Sequence, residues 1–297
     1  MERHASMRHQ LGVYTNPVAR PADAAFQHIT HAQFADNAVV GAVPAASLAV
    51  PATLHASLMA RLDRLGTLAK EIAQIGAAIG RDFSYELLNA VAHRTEIELH
   101  DALRRLVDAG LIFQRGVPPQ ATFLFKHALV QDTAYSILLR GPRQALHARI
   151  AGALEDRFPD QAAMHPQILA HHLTEAGLLK KAAVYWCRGG QQSSAKSAFL
   201  EAIGQLKRGL LVLAKLPQSR ERDRRELDLQ VTLAFALRGM VGYGHPDVAE
   251  ALCRAHRLVV DTAGAGSSLH FSVLYGLAQT RFRRPGTSVA NRHGGSE

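Results

Sequence analysis

The chain has 297 residues, a formal net charge of +9 and 47% hydrophobic residues, of which few are aromatic. That length allows one or two domains with a sizeable core, and that composition excludes a chain disordered throughout. With aromatics at 6%, the core must rest on Leu, Ala, Val and Ile, which favours packed helices over a β-sandwich.

The two cysteines, Cys187 and Cys253, are far apart and sit in no ligand motif. Neither a disulfide scaffold nor a cysteine zinc site is expected, and a reducing cytoplasm is the expected location. The basic start (Arg3, His4, Arg8, His9) leads into no compact apolar run, so it does not read as a secretory signal. The most apolar stretch, Ala38–Ala60, is built of small residues and broken by Pro44, Pro51 and His55, which makes it a poor membrane span. No membrane partner is expected. The positive charge could suit an anionic partner. However, residues 279–297 hold Arg281, Arg283, Arg284 and Arg292 against Glu297, so the remainder is only moderately basic.

Residues 1–45 show no sustained period and are expected to form a poorly ordered extension. From Val50 the pattern becomes helical. Leu54, Leu58, Leu62 and Leu65 make one stripe of a helix opened by Pro51. A second helix over Leu68–Ile79 turns Leu68, Ile72, Ile75 and Ile79 inward. A third begins at the cap Ser84 and carries Leu87, Leu88 and Val91. The fourth has a capping box of Thr95 and Glu98, an apolar face of Leu99, Leu103, Leu106 and Val107, and Gly110 suited to a left-handed end. Two short apolar runs, Leu111–Gln114 and Thr122–Phe125, flank a Gly/Pro loop and read as a β-hairpin. Short helices followed by a hairpin suggest a winged helix over 46–140, in which the helix before the hairpin would read DNA in DNA-binding members.

From there helices follow one another. The expected segments are Ala128–Leu139, Pro142–Phe158, Pro166–Ala176, Leu179–Gln192, Ser197–Leu213, Arg220–Arg238 and Asp247–Asp261. Short turns at Gly141-Pro142, Pro159, Gly177, Pro217 and Gly244-His245-Pro246 separate them, the pattern of an α-solenoid over 141–278. One unit of about 34 residues aligns with a tetratricopeptide repeat. Trp186 takes its early aromatic position, Gly190 its small position, and Ala202, Leu206 and Gly209 those of its second helix. Small residues are needed where the two helices cross closely. Gly189 departs from the pattern by standing where Leu is usual. The expected fold is therefore mainly α: a winged-helix domain with a short hairpin, then a tetratricopeptide-like solenoid, then a disordered basic tail over 279–297.

Several stretches carry a further likeness. They are "VPATLHASLMARLDRL" (50–65), "AKEIAQIGAAIGRDFSYELL" (69–88), "ALRRLVDAGLIFQRG" (102–116), "FLFKHALVQDTAYSILL" (123–139), "LHARIAGALE" (146–155), "AHHLTEAG" (170–177) and "EAIGQLKRGL" (201–210). In unbroken order they resemble the region after the ATPase module of large bacterial signalling proteins. Those proteins join an adenylate/guanylate cyclase or kinase domain to a STAND-type AAA-like ATPase and then to tetratricopeptide repeats. The resemblance covers about residues 46–278, not 1–45, and ends after "FSVLYGL" (271–277), where the chain turns into an Arg-rich tail like that of an early stop or frame shift. It implies an internal piece of a longer signalling ATPase. An ATPase module in cis would be one partner, and a protein docked on the repeats another.

The family's ATPase needs G-x-x-x-x-G-K-[ST], whose backbone N–H groups surround the phosphates. The chain contains no such string; "GLLKK" (177–181) and "GGQQSS" (189–194) fail its spacing and read as helix turns. No cyclase metal-binding aspartates are recognisable. The expectation is a non-enzyme with no catalytic, cofactor or metal residues, and with no cleft of converging acids and bases. His165, His171 and His172 cluster in sequence, but adjacent residues point to different sides of a helix, so at most one of the latter pair joins His165 or a neighbour. His127 is expected to make a structural polar contact, supported by Lys126, that ties the hairpin to the next helix near Gln131 and Asp132. Cys187 and Cys253 are expected to be buried and inert. The run 219–230, with four Arg and four acids, should be a solvated helix face with i,i+4 pairs. Arg104 and Arg105 lie on the helix before the hairpin. They could meet DNA, and a DNA-binding transcriptional regulator is the alternative function. Asp101 and Asp108 share that helix, however, so there is no basic stripe, and interdomain packing is preferred over DNA contact.

Overall fold

The computed structural model describes residues 52–262 and 268–282. The expected extension 1–45 and all of the expected tail beyond 282 lie outside the described residues. The described chain is mainly helical, with one small sheet and no helix long and apolar enough to cross a membrane.

Helices α1 (Ala52–Arg64) and α2 (Thr67–Ile79) open the fold. Leu62 of the expected stripe is buried and Leu58 and Leu65 pack against the core, but Leu54 is 46% exposed, so the stripe engages only toward its C-terminal end. α2 buries one continuous face including Ile72, Ile75 and Ile79. Strand β1 (Asp82–Ser84) follows, and Ser84 caps α3 (Tyr85–Ala92) by accepting from the Leu87 amide at 3.2 Å. α4 (Glu96–Asp108) begins with the complete Thr95/Glu98 capping box. It ends at Gly110, whose φ of 64° a residue with a Cβ adopts only under strain.

Strands β2 (Ile112–Arg115) and β3 (Thr122–Phe125) form the hairpin. β3 also pairs antiparallel with β1, giving the sheet order β1-β3-β2. β1 brings Phe83 against Phe123 and Phe125, with ring centroids 5.7 and 5.6 Å apart. These three rings seal the sheet onto α2, where Gly76 leaves room for the Phe83 ring. The sequence reading missed β1 because three residues carry no measurable alternation.

The remaining helices are α5 (Ala128–Ser136), α6 (Arg140–Arg157), α7 (Pro159–Met164), α8 (Pro166–Glu175), α9 (Leu179–Ala195), α10 (Phe199–Ala214), α11 (Arg220–Val241), α12 (Pro246–Thr262) and α13 (Ser268–Phe282). From α8 to α13 each packs on the next, and α9 also touches α11. α6 packs on both α2 and α3, which ties the first unit to the later helices. Two expected turns are helical instead. Pro142 lies inside the first turn of α6, and Pro159 starts α7, where a proline lacks only an N–H that has no helical partner. α13 runs to Phe282, so the start of the expected tail, from Gln279, is helical.

Candidate functional site

The α9–α10 pair brings the expected repeat residues together. Trp186 is 2% exposed, and Ala202 and Leu206 are fully buried. A Cβ on Gly190 would stand 2.4 Å from Leu206 Cγ, and one on Gly209 would stand 2.9 Å from Leu229 Cδ2 and 3.1 Å from Trp186 Cβ. The glycines thus set how closely α9, α10 and α11 approach. Gly189 has a reason of its own: a Cβ there would lie 2.7 Å from Gln205 Oε1. The buried Gln205 accepts from Ser193 Oγ at 3.3 Å and donates to Glu201 at 2.8 Å. A polar contact replaces the apolar one that a leucine would make.

The Trp186 indole N–H donates to Thr174 Oγ1 at 3.0 Å, and that hydroxyl donates to the Ala170 carbonyl at 2.7 Å. This fixes Trp186 on the wall of a cleft of about 660 Å³ bounded by α2, α5, α6, α8, α9 and α10. Helix α5 contributes Gln131, Asp132 and Tyr135, α6 contributes Arg143 and His147, and α8 contributes His171 and Glu175. Arg208 of α10 and Lys215, just past its end, also line the cleft. The expectation of no cleft with converging acids and bases is therefore corrected. Its members are spread over helices distant in sequence, and only packing assembles them.

The floor of the cleft is a chain of hydrogen bonds. The Tyr135 hydroxyl meets His147 Nε2 at 2.9 Å, and His147 Nδ1 meets His172 Nδ1 at 2.9 Å. The last contact needs one protonated and one bare nitrogen, so the two rings cannot both be charged. Burial pushes His147 down to about 3 and holds His172 well below the usual imidazole range. His171 is lowered by burial as well, with Glu175 opposing the shift. Both adjacent histidines pack on His147, with ring centroids 5.8 Å (His171) and 5.1 Å (His172) away. At most one was expected to find such a neighbour, and His147 itself was missed. Nothing in the sequence marks it, because it precedes the pair by more than two helical turns of a different helix. Among the described residues no three His, Cys, Asp or Glu side chains are arranged to hold a metal ion.

Two arginines are presented to the cleft by aromatic rings. Arg143 lies over Tyr135 at 4.9 Å and Arg208 over Trp186 at 5.5 Å. Arg143 donates from Nη2 to the Leu138 carbonyl at 3.0 Å, while its buried Nε has no hydrogen-bond partner. Burial lowers the Arg208 guanidinium and raises the carboxyl of Asp132 and the phenol of Tyr135. With Arg and Lys donors, carboxylate acceptors and ring faces, the site is equipped to bind by charge and stacking.

A second cleft of about 600 Å³ lies among α6, α7, α8 and α9. There Lys181 pairs with Glu155 at 2.9 Å and Tyr185 donates to the same carboxylate.

The remaining expected residues fall elsewhere. Arg104 and Arg105 are exposed, and both bond Asp101, at 2.9 and 2.8 Å. His127 is exposed and makes no capping bond. The tie to the first unit is made instead by Gln131, which donates to the Ala77 carbonyl at 3.2 Å. Lys126 sits over the Phe113 ring of the hairpin. Cys187 is half-buried and its thiol is pushed by burial to about 11, but Cys253 is exposed, contrary to expectation. The 219–230 run is not all solvated. Arg225 and Glu221 pair on the surface, whereas Glu226 is 7% exposed and is gripped by both Arg254, at 2.5 and 3.0 Å, and Arg222. Arg254 lies outside that run on α12, so the run alone gave no sign of the buried pair.

An uncharacterized protein of Rhizobium meliloti (strain 1021) is 31% identical to this chain over 186 residues, or 62% of the chain. The chain spans only 18% of that relative's length. No protein-family profile matches the chain, and no solved structure does.

Proposed function

We propose that the chain is a non-catalytic regulatory and docking segment of a bacterial cyclase- or kinase-linked STAND ATPase signalling protein. In this reading residues 46–140 act as a winged helix that relays the state of an ATPase module in cis. Residues 141–278 act as tetratricopeptide-like repeats that dock a protein partner. The helices α2–α4 beside a β1-β3-β2 sheet support the first part. The observation that carries the second is the close crossing of α9 and α10 at Gly190 and Leu206, within helices that each pack on the next and leave a cleft beside Trp186. Arg104 and Arg105 both engage Asp101, which argues against the alternative of DNA binding.

The test has two arms. MgATP titrated into the purified chain should give no saturable signal. Crosslinking with the full chain as bait should retain a protein whose crosslinks fall on α8–α10. Saturable MgATP binding or turnover overturns the reading, as does salt-sensitive duplex binding lost in Arg104→Ala and Arg105→Ala.

A further inference from the structure

The cleft beside Trp186 gathers charged side chains of both signs. Some acids outside it find cations, as Glu226 does with Arg254 and Arg222, and Glu155 with Lys181. Within the cleft, Arg143 and Lys215 form no ion pair and neither do Asp132 and Glu175, among the described residues. Arg143 and Glu175 are half-buried and desolvation raises the Asp132 carboxyl, so a bound group that supplied the missing counter-ions would be favoured there.

We propose that this cleft binds a short peptide segment carrying one carboxylate and, nearby, one cation, with the carboxylate seated against Arg143 and Arg208 and the cation toward Asp132 and Glu175. The inference rests on the docking reading above and names the chemistry of what is docked. Three observations carry it. The two guanidiniums lie over aromatic rings, which hold both of them at the cleft wall where a carboxylate could meet them. The Arg143 Nε–H is a buried donor with no partner, and an incoming oxygen would satisfy it. The volume of about 660 Å³ falls within the range of clefts that enclose small ligands, so it suits a few side chains rather than a globular surface.

The same charges disfavour nucleic acid. A continuous line of phosphates would have to pass Asp132 and Glu175, and the cleft's three cations exceed its two acids by only one charge. In the second cleft Lys181 and Tyr185 already hold Glu155.

The chain has a single tryptophan, and it lines the site. A phage-displayed random peptide library is selected on the full chain and counter-selected on the folded Arg143→Gln/Arg208→Gln variant. Recovered peptides should share an acidic and a basic residue at a fixed spacing and should change Trp186 fluorescence on binding. Replacing the acidic residue by its amide should weaken binding at least tenfold. On the protein side, Lys215→Gln and Asp132→Asn, both at exposed positions that the fold does not depend on, should weaken it severalfold. Peptides that bind the double variant equally well, or that lack the acidic residue, overturn the proposal while leaving docking elsewhere intact. Recovery of no peptide overturns it too, and so does free glutamate saturating the site as tightly as the peptides.

Discussion

Replacing Gly190 by alanine tests whether the α9–α10 crossing is as close as the structure has it. The new Cβ would stand 2.4 Å from Leu206 Cγ, 2.6 Å from Cδ2 and 3.1 Å from Cδ1. The nearest atom is the branch carbon of a leucine that is 0% exposed, so no flexible chain end can swing away. Restoring an ordinary contact requires the helices to part by about 1 Å, and such overpacking costs roughly 1–3 kcal/mol. Alanine returns up to about 1 kcal/mol of helix propensity, which leaves a net loss of up to about 2 kcal/mol. Urea denaturation followed by circular dichroism reads it as a lower midpoint at unchanged slope. Leu206→Ala alone should cost about 2–5 kcal/mol, but in the double variant the alanine methyl occupies space the leucine vacated, so the two losses should fall short of additive by about 1 kcal/mol. Gly204→Ala is the control, because nothing lies within 4 Å of its Cβ, and it should be neutral or slightly stabilising. A Gly190→Ala protein clearly more stable than the parent, or a strictly additive double variant, refutes the close crossing.

The histidine floor predicts acid lability. Burial lowers His147 to about 3 in the folded chain, while the unfolded chain protonates near 6.5, so below that pH the unfolded state binds the extra proton. Stability should fall as pH drops from 6.5 toward 3, by about 1.4 kcal/mol per unit for each such histidine. Urea midpoints measured at neutral and mildly acidic pH check this, and His147→Gln should remove its share of the slope. Thiol labelling of the native chain should modify Cys253 quickly and spare Cys187, whose thiolate is suppressed by burial; mass spectrometry of tryptic peptides tells them apart. Glu226→Ala should cost about 2 kcal/mol by stranding Arg254, whereas Glu221→Ala, which removes a surface pair, should cost under about 0.5 kcal/mol, both read from denaturation midpoints.

Much of the architecture was legible because it depends on local chemistry. Thr95 and Glu98 define the start of α4 whatever packs around it, and Gly110 defines its end. The expected helices from α5 to α12 came through within a few residues because their apolar periods run over several turns, whereas α13, which shows no such period, was not foreseen. What failed was of two kinds. β1 and α7 are too short to show a period, and each depends on a tertiary neighbour: β3 for the strand, α6 and α8 for the helix. Burial was misjudged for Leu54 and Cys253, because a stripe position says only that a residue could face inward, while the presence of a neighbour decides whether it does.

The cleft was illegible for a more general reason. Trp186 and its glycines could be placed from spacing because one helical hairpin contains them, and a hairpin's geometry is set locally. Arg143, Glu175 and Arg208 belong to three helices, and no spacing connects them. Even the visible His171–His172 pair misled. Successive helical residues diverge by about 100°, yet two imidazoles so divided can still flank a third ring presented from a neighbouring helix. His147 is that ring, and its nitrogens join Tyr135 at the cleft to His172 in the core. A group bound against Arg143 would press on Tyr135, which stacks beneath it, and so on this buried chain of polar contacts. The cleft and the packing of α6 on α8 are thus one structure, and a variant that disturbs His147 should change acid stability and, if the cleft binds the proposed peptide, its affinity as well.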